Sequence, residues 1–215
     1  LILQHKQANY FEYAGAAGGF IDRYGFPYCR GRIFDSLEEN KGQYKTADCF
    51  WATGACMFIR RTVWEELEGF DEDFFMHQEE IDLCWRAFNN GHVTKCITTA
   101  QVFHLGAASL KTSPQKTFYN HRNSLWMLLK NVPKQKLFSV IFGRLILDGF
   151  AAVRYLINGQ VLSFLMVIKA HFSVYASLSM TLSKRGQNKK NKSYYRHNNL
   201  PWKYFILKKG EFSDL

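Results

Sequence analysis

An acidic, aromatic-rich turn runs directly into a strongly amphipathic segment near the middle of the chain, and this pair constrains the fold more than any other feature. Within residues 79–90, the apolar side chains recur at the i, i+3, i+4, i+7 spacing of one helix face: Ile81, Cys84, Trp85 and Phe88. Gly91 follows, where glycine commonly ends a helix. The pattern predicts an α-helix over 79–90 that packs its apolar face against a core.

Short segments of both types surround this helix. Residues 54–59, 93–97 and 100–103 have the composition of strands, and 63–68 and 113–131 that of helices. The second of these helices has the serine-proline start that is typical of an N-terminus. Hydrophobic residues make up 47% of the chain, which is enough to build a core. The interleaving of strands and helices predicts an α/β fold.

Two stretches before the helix lack a regular pattern. Residues 11–26 are rich in glycine and aromatic residues, and we expect a loop or a broken helix there. They contain neither a GxGxxG nor a GxxxxGK[ST] motif, so no phosphate-binding loop is predicted in them. Residues 34–45 are polar and are expected to form a surface loop.

Residues 132–215 differ in composition from the rest. Residues 137–182 form two long apolar segments that charged residues interrupt, and neither offers the roughly 18–20 uncharged residues of a membrane span. Two interpretations stay open: amphipathic helices lying in a membrane interface, or a helical subdomain packed on the protein itself. Residues 184–209 carry nine lysines and arginines and no acid, which favours contact with anionic headgroups.

The charge distribution suggests two separate functional surfaces. The formal net charge is +10, but residues 65–82 are acidic while the C-terminal run is basic. A basic protein binds phosphate in nucleic acid, lipid or substrate. Binding to nucleic acid is the less favoured alternative, because no nucleic-acid motif is present and the basic residues follow apolar segments.

The five cysteines point to a reducing compartment. Their number is odd and no pair has CxxC spacing, which argues against a disulfide scaffold and a structural zinc site. No signal peptide is visible, and the chain opens in an apolar stretch without an initiator methionine. We therefore expect a piece of a longer protein that faces the cytosol.

Four residues are candidates for chemistry. Glu79 and Glu80 lie at the start of the predicted helix, where the helix dipole keeps carboxylates ionised, as a general base requires. The alternative is that they are ordinary first-turn glutamates. His104 follows a predicted strand and is either a ligand or a structural histidine. Trp51 is either a sugar-stacking platform or a core residue.

Four ordered motifs resemble a known family. They are residues 48–61 (DCFWATGACMFIRR), residues 69–86 (GFDEDFFMHQEEIDLCWR), Gly91-His92 and Val102-Phe103-His104. Together they are similar to the second half of family 2 glycosyltransferases, in the bacterial branch that resembles rhamnosyltransferases and galactofuranosyltransferases. The resemblance implies that residues 1–131 are the C-terminal half of a GT-A domain, on the acceptor and base side. Residues 132–215 then form a helical, basic, membrane-associated tail.

The resemblance also implies a reaction. The family moves a sugar from a nucleotide diphosphate sugar to an acceptor hydroxyl, with inversion at the anomeric carbon. The general base maps onto Glu80, with Glu79 beside it. Many members have aspartate where Glu80 stands, and the extra methylene moves the carboxylate by roughly 1 Å. His104 matches the histidine that helps bind Mg²⁺ or Mn²⁺ on the donor diphosphate.

Further site residues follow from the same match. The segment that lines the acceptor side maps onto Trp51, Thr53, Gly54 and Ala55. Asp82 and Arg86 recur in the motif, and we interpret them as a structural pair on the helix that contributes to the substrate-binding region.

The family's nucleotide-binding half, with its Asp-x-Asp metal motif, is not recognisable in the chain. Asp71-Glu72-Asp73 has that spacing, but it stands where the family does not bind metal. We expect a truncated, singly inactive part of an inverting glycosyltransferase of bacterial cell-surface polysaccharide synthesis, on the cytoplasmic face of the inner membrane. Its acceptor would be a glycan or lipid-linked sugar. The alternative function is a non-catalytic basic module that binds membrane or nucleic acid.

Overall fold

The computed structural model describes residues 1–105, 113–186 and 193–215, and these form a mixed α/β structure, as the sequence predicts. The described part contains eight short strands: β1 (Ile2–Gln4), β2 (Gly19–Ile21), β3 (Pro27–Cys29), β4 (Arg32–Ile33), β5 (Ser36–Leu37), β6 (Ala47–Cys49), β7 (Thr94–Cys96) and β8 (Val102–His104). It contains six α-helices: α1 (Arg61–Glu66), α2 (Glu79–Asn90), α3 (Pro114–Asn131), α4 (Lys134–Ile157), α5 (Val161–Ala176) and α6 (Leu178–Ser183). Short 3-10 turns lie at Glu72–Phe74 and Phe212–Asp214, and a π-helical turn lies at Trp202–Ile206.

The strands form three small sheets. Strands β1 and β8 pair in parallel, β2 to β5 form an antiparallel meander, and β6 pairs antiparallel with β7. Strand β2 and strand β5 lie inside the two stretches that were expected to be loops. A single bridge joins Gly19 to Trp51. Only glycine fits there, because a Cβ at residue 19 would lie 2.0 Å from the Trp51 indole.

The strand expected over 54–59 is wrong. The Thr53 hydroxyl accepts a hydrogen bond from the Ala55 N–H at 3.2 Å, which closes a turn at the start of the segment. Of the apolar side chains beyond it, Met57 packs partly buried against the core, but Phe58 is 94% exposed. An apolar segment forms a strand only when a neighbouring strand hydrogen-bonds to its backbone. Residues 57–60 are not assigned to a strand and lead directly into α1.

The two main helices agree with the sequence predictions. Helix α2 spans Glu79–Asn90 and buries Ile81, Cys84 and Trp85, while Gly91 ends it in the left-handed conformation. The Ser113 side chain accepts from the Lys116 N–H at 3.2 Å and caps α3. Both predictions succeed because the spacing, the cap and the terminating glycine are local signals.

One core spans the whole described chain. Helix α3 lies in it and packs against α2, α4, α5 and α6. The cluster includes Phe11 from the N-terminal part and Val140, Val174 and Leu200 from the predicted tail. Tyr194 lies with its ring 4.5 Å from that of Trp85. Residues on both sides of the predicted 131/132 division thus share one core.

The acidic centre and the basic run, which the sequence treats as separate surfaces, are joined in the structure. The Lys184 ammonium donates to Asp71 at 2.7 Å and to Asp73 at 2.6 Å. Lys189, Lys190 and Lys192 of the basic run lie outside the described residues. Within the described ranges, no helix has the length and apolarity needed to cross a bilayer.

Candidate functional site

A strained turn carries the chain from the acidic segment into α2. Three residues of this turn that are not glycine have positive φ angles: Phe75 (61°), His77 (66°) and Gln78 (74°). Each such conformation costs on the order of 1 kcal/mol or more, and it persists only where the surroundings enforce it. Strain of this kind concentrates at functional sites, so the turn marks residues 75–80 as a candidate site.

Two neighbouring side chains of α3 hold this turn in place. The buried Asn123 amide nitrogen lies 2.9 Å from the Phe74 carbonyl oxygen, 2.7 Å from that of Met76 and 2.8 Å from that of His77. Arg122 donates to the Asp73 and Phe74 carbonyl oxygens at 3.2 Å and 3.1 Å. Sequence reasoning missed both residues, because polar side chains are common along this helix and nothing local distinguishes these two.

Four consecutive residues at the end of the turn have enclosed polar atoms that find no hydrogen-bond partner among residues 1–105, 113–186 and 193–215. These atoms are His77 Nε2, Gln78 Oε1, Glu79 Oε2 and Glu80 Oε2. Buried polar atoms in folded proteins nearly always have a partner, so each exception needs an explanation. Four exceptions in a row, next to a strained turn, make residues 77–80 the candidate site of this region.

The two carboxyl groups of this row bind protons unusually tightly, which corrects the expectation that the helix dipole keeps them ionised. Burial, reinforced by the negative charge of Glu79, raises the pKa of Glu80 to about 7. Burial also raises the pKa of Glu79. His77 shows the opposite shift, since burial and the nearby charge of Lys116 lower its pKa. A carboxylate with a pKa near 7 can accept a proton from a substrate at neutral pH and release it again.

The next carboxylate of α2 has a different environment. Asp82 is fully buried and accepts from Arg86 at 2.8 Å, Lys130 at 2.9 Å and Asn131 at 2.7 Å. Arg86 also donates to the Gly69 carbonyl at 2.7 Å and to that of Leu67. This network fastens α2 to α3 and to the loop after α1, which agrees with a structural role for Asp82 and Arg86.

The predicted acceptor segment lies beside α2. The Ala52 N–H points at the Cys84 sulfur at 3.5 Å, one helical turn beyond Glu80. Thr53 is buried, whereas Gly54 and Ala55 are exposed. Trp51 is only 4% exposed and donates to the Phe20 carbonyl at 2.9 Å, so its ring lies in the core, as one of the two interpretations of this residue expected.

His104 ends β8, next to Gln4 of β1. Its Nδ1 atom is enclosed and has no hydrogen-bond partner among the described residues. Across residues 1–105, 113–186 and 193–215, no hydrogen bond joins its side chain to Glu79 or Glu80, and no three His, Cys, Asp or Glu side chains group closely enough to hold a metal ion. The described residues therefore supply one candidate metal ligand and not a complete coordination shell.

The carboxylates of Asp71 and Asp73, which have Asp-x-Asp spacing, form ion pairs with lysines. Lys130 donates to Asp71 at 2.6 Å, and Lys184 contacts both Asp71 and Asp73. Burial alone would raise the pKa of Asp71, but the hydrogen bonds from Lys130 and Lys184 lower it to about 2. These carboxylates therefore have ammonium partners in this structure.

Comparison with known proteins gives a partial match. No protein-family model matches the chain, and no solved structure matches it. Two curated relatives from Mycobacterium tuberculosis, strains CDC 1551 and H37Rv, are each named N-acetylglucosaminyl-diphospho-decaprenol L-rhamnosyltransferase. Each is 32% identical over 79 residues, or 37% of this chain, and the match spans about a quarter (26%) of the relative's own length. These similarities support a glycosyltransferase relationship for this chain.

Proposed function

We propose that this chain forms the acceptor and base side of an inverting family 2 glycosyltransferase with a GT-A domain. The observation that carries the proposal is the enclosed Oε2 atom of Glu80, which has no hydrogen-bond partner among the described residues and lies at the end of a strained turn. A purely structural first-turn glutamate would point to solvent or bind a partner. The similarity to rhamnosyltransferases supports sugar transfer as the reaction that uses such a base.

The proposed reaction needs one proton acceptor from this chain. The acceptor hydroxyl oxygen forms a bond to the anomeric carbon of the donor, and its proton moves to a Glu80 carboxylate oxygen. The bond from the anomeric carbon to the nucleoside diphosphate breaks on the opposite face, and its electron pair leaves with the diphosphate. Attack and departure on opposite faces invert the configuration. Glu79 raises the proton affinity of Glu80 through its negative charge.

The acceptor lies, in this proposal, between α2 and the exposed residues Gly54 and Ala55. Thr53 is buried next to Gly15, where a Cβ would lie 2.6 Å from its side chain, so the backbone of this segment is fixed by packing. Fixed backbone on one side and Glu80 on the other would orient a sugar hydroxyl toward the base.

The donor would be a nucleotide diphosphate sugar, and Mg²⁺ or Mn²⁺ would neutralise charge on its diphosphate. The support in this chain is the enclosed, unpartnered Nδ1 of His104, which could supply one ligand. The remaining ligands would come from outside the described residues.

The named substrate of the mycobacterial relatives suggests the kind of acceptor. Their name describes a sugar on a diphospho-decaprenol carrier. We extend this to a glycan or lipid-linked acceptor used in cell-surface polysaccharide synthesis, at the cytoplasmic face of a bacterial inner membrane. The net charge of +10 supports an anionic membrane surface as the location.

The test compares the complete gene product carrying native Glu80 with Glu80→Gln and Glu79→Gln variants. Sugar transfer is measured from a panel of nucleotide sugars, with Mg²⁺ or Mn²⁺ and a membrane lipid extract as acceptor. We expect Glu80→Gln to lower kcat by about 100-fold or more with donor binding retained, because the amide cannot take the proton. A Glu80→Gln variant with native turnover would refute Glu80 as the base, and a loss confined to Glu79→Gln would assign that role to its neighbour.

A further inference from the structure

Helix α4 has its charged and apolar faces reversed relative to an ordinary surface helix. Arg144 and Asp148 are buried on its inner side, with Asp148 fully enclosed. Its outer side exposes aromatic residues at helical spacing, including Phe138 (83% exposed), Phe142 and Phe150 (70%). A surface helix with one side in the core and the other in water ordinarily exposes its charged side chains and buries its aromatic ones.

The inward charges of α4 are satisfied by a buried network. One Asp148 oxygen lies 2.9 Å from Arg144 Nε and 3.0 Å from His121 of α3, and the other lies 3.2 Å from His171 of α5. Arg144 also donates to the Tyr24 carbonyl at 2.9 Å. Burial alone would raise the pKa of Asp148, but Arg144 and His121 hold it well below its usual range. The network joins α3, α4 and α5, and it keeps the charges of Arg144 and Asp148 on the inner side of α4.

Helix α5 adds a second exposed apolar surface. It packs against both α3 and α4, so these helices cover its inner side. We define the apolar face as the exposed residues of α4 and α5 that have this character: Phe138, Phe142, Phe150, Leu162, Leu165 and Phe172. Soluble proteins rarely expose this many large apolar side chains without a binding partner.

The charges around the apolar face indicate which partner it fits. Between Lys134 and Lys209 the sequence contains one acid, Asp148, which is buried. Cationic residues in this segment are exposed, among them Lys134, Lys136 and Lys169. An apolar surface whose own chain segment exposes cations and no acid complements the acyl boundary and the anionic headgroups of a bilayer.

We infer that the apolar face of α4 and α5 docks onto an anionic lipid surface, with the helices lying in the interface. Of the two interpretations that the sequence left open for these segments, this one places the helices in the interface, and the structure names the side chains that would make the contact. Tyr194 and Leu200 are buried in the core, and Lys203 is bonded to the Leu215 carbonyl, so part of that run is folded onto the body. The inference deepens the proposed function, because it names the surface that would share a membrane with a lipid-linked acceptor.

The test is flotation of the purified chain with phosphatidylcholine vesicles, with and without phosphatidylglycerol. The altered protein carries Phe138→Ser, Phe150→Ser and Phe172→Ser. The matched control carries Phe58→Ser and Val93→Ser, two residues that are 94% and 65% exposed outside the apolar face. Circular dichroism checks that both variants keep the helical content of the native chain.

We expect the native chain and the control to float with anionic vesicles, and the triple variant to bind at least about tenfold more weakly. Equal binding of the triple variant, or native binding that raised salt abolishes completely, would overturn the inference. A third outcome would also overturn it: the native chain does not bind vesicles and sediments as a dimer without lipid, while the triple variant sediments as a monomer. The occupant of the apolar face would then be a second copy of the chain. The assay needs no turnover, so its failure is distinct from a failure of Glu80 as the base.

Discussion

At the scale of the residue, two carboxylates within ten positions of each other have opposite environments. Asp71 is paired with two lysines, which lower its pKa to about 2. Glu80 has an enclosed oxygen without a partner, and burial raises its pKa to about 7. Carboxylates whose surroundings separate their pKa values take different roles. Asp71 therefore serves the structure, and Glu80 is suited to proton transfer.

The raised pKa of Glu80 predicts a dependence of stability on pH. A carboxyl group whose folded pKa lies above its ordinary value of 4.5 stabilises the fold below that value, and this contribution is lost as pH rises through about 7. Glu80→Gln cannot ionise, so at about pH 8 it should raise the free energy of unfolding by on the order of 2 kcal/mol relative to native, with little difference at about pH 4.

Urea unfolding at both pH values measures this difference. Glu72→Gln is the control, since Glu72 is an exposed carboxylate of the same acidic segment. Asp22, whose pKa burial raises to about 7, is present in every variant and its contribution cancels. A Glu80→Gln variant whose stability differs from native by the same amount at both pH values would show that Glu80 is not held in a protonated state.

At the scale of the element, the strained turn depends on a helix that is distant in sequence. Asn123 contacts the Phe74, Met76 and His77 carbonyl oxygens across 46 to 49 residues of chain. Its amide is the link between α3 and the start of α2. Glu80 thus has its position set by α3 as well as by its own helix.

This link predicts the effect of changing Asn123. Asn123→Ala leaves the turn carbonyls without their donor and should cost about 2 kcal/mol of unfolding free energy. Asn123→Asp keeps the shape but turns an oxygen toward carbonyl oxygens, so it should cost more. Turnover should fall by about tenfold in Asn123→Ala while donor binding stays close to native, because a displaced base affects the chemical step.

Chemical denaturation and steady-state kinetics check these expectations. Asn120→Ala, one turn earlier on the same helix, is the matched control and should behave as the native chain. If Asn123→Ala and Asn120→Ala had equal stability and turnover, the turn would not depend on this amide.

At the scale of the whole molecule, local signals were predictable from the sequence and long-range contacts were not. Helix α2 followed from apolar spacing and Gly91. The strand expected over 54–59 failed, because strand pairing depends on a partner that the segment itself does not specify. Tyr194 packs against Trp85 although the two residues are far apart in the chain, and no local sequence pattern predicts this contact.

The candidate site shows the same division. The sequence placed Glu79 and Glu80 at a helix start, and the structure agrees. The strain at His77 and Gln78 and the absence of partners for their side chains arise only when α3 packs over the turn. Sequence alone therefore located the two candidate carboxylates at a helix start, while their environment required the fold.

The pH dependence of sugar transfer tests the central claim most directly. With the donor that the panel selects, kcat/KM is measured from about pH 5 to about pH 9, because this quantity reports the pKa of the base in the free enzyme. The account predicts that kcat/KM rises with pH and levels off with an apparent pKa near 7, the value that burial gives Glu80. A profile that is flat across this range, in an enzyme limited by chemistry, would contradict Glu80 as the general base.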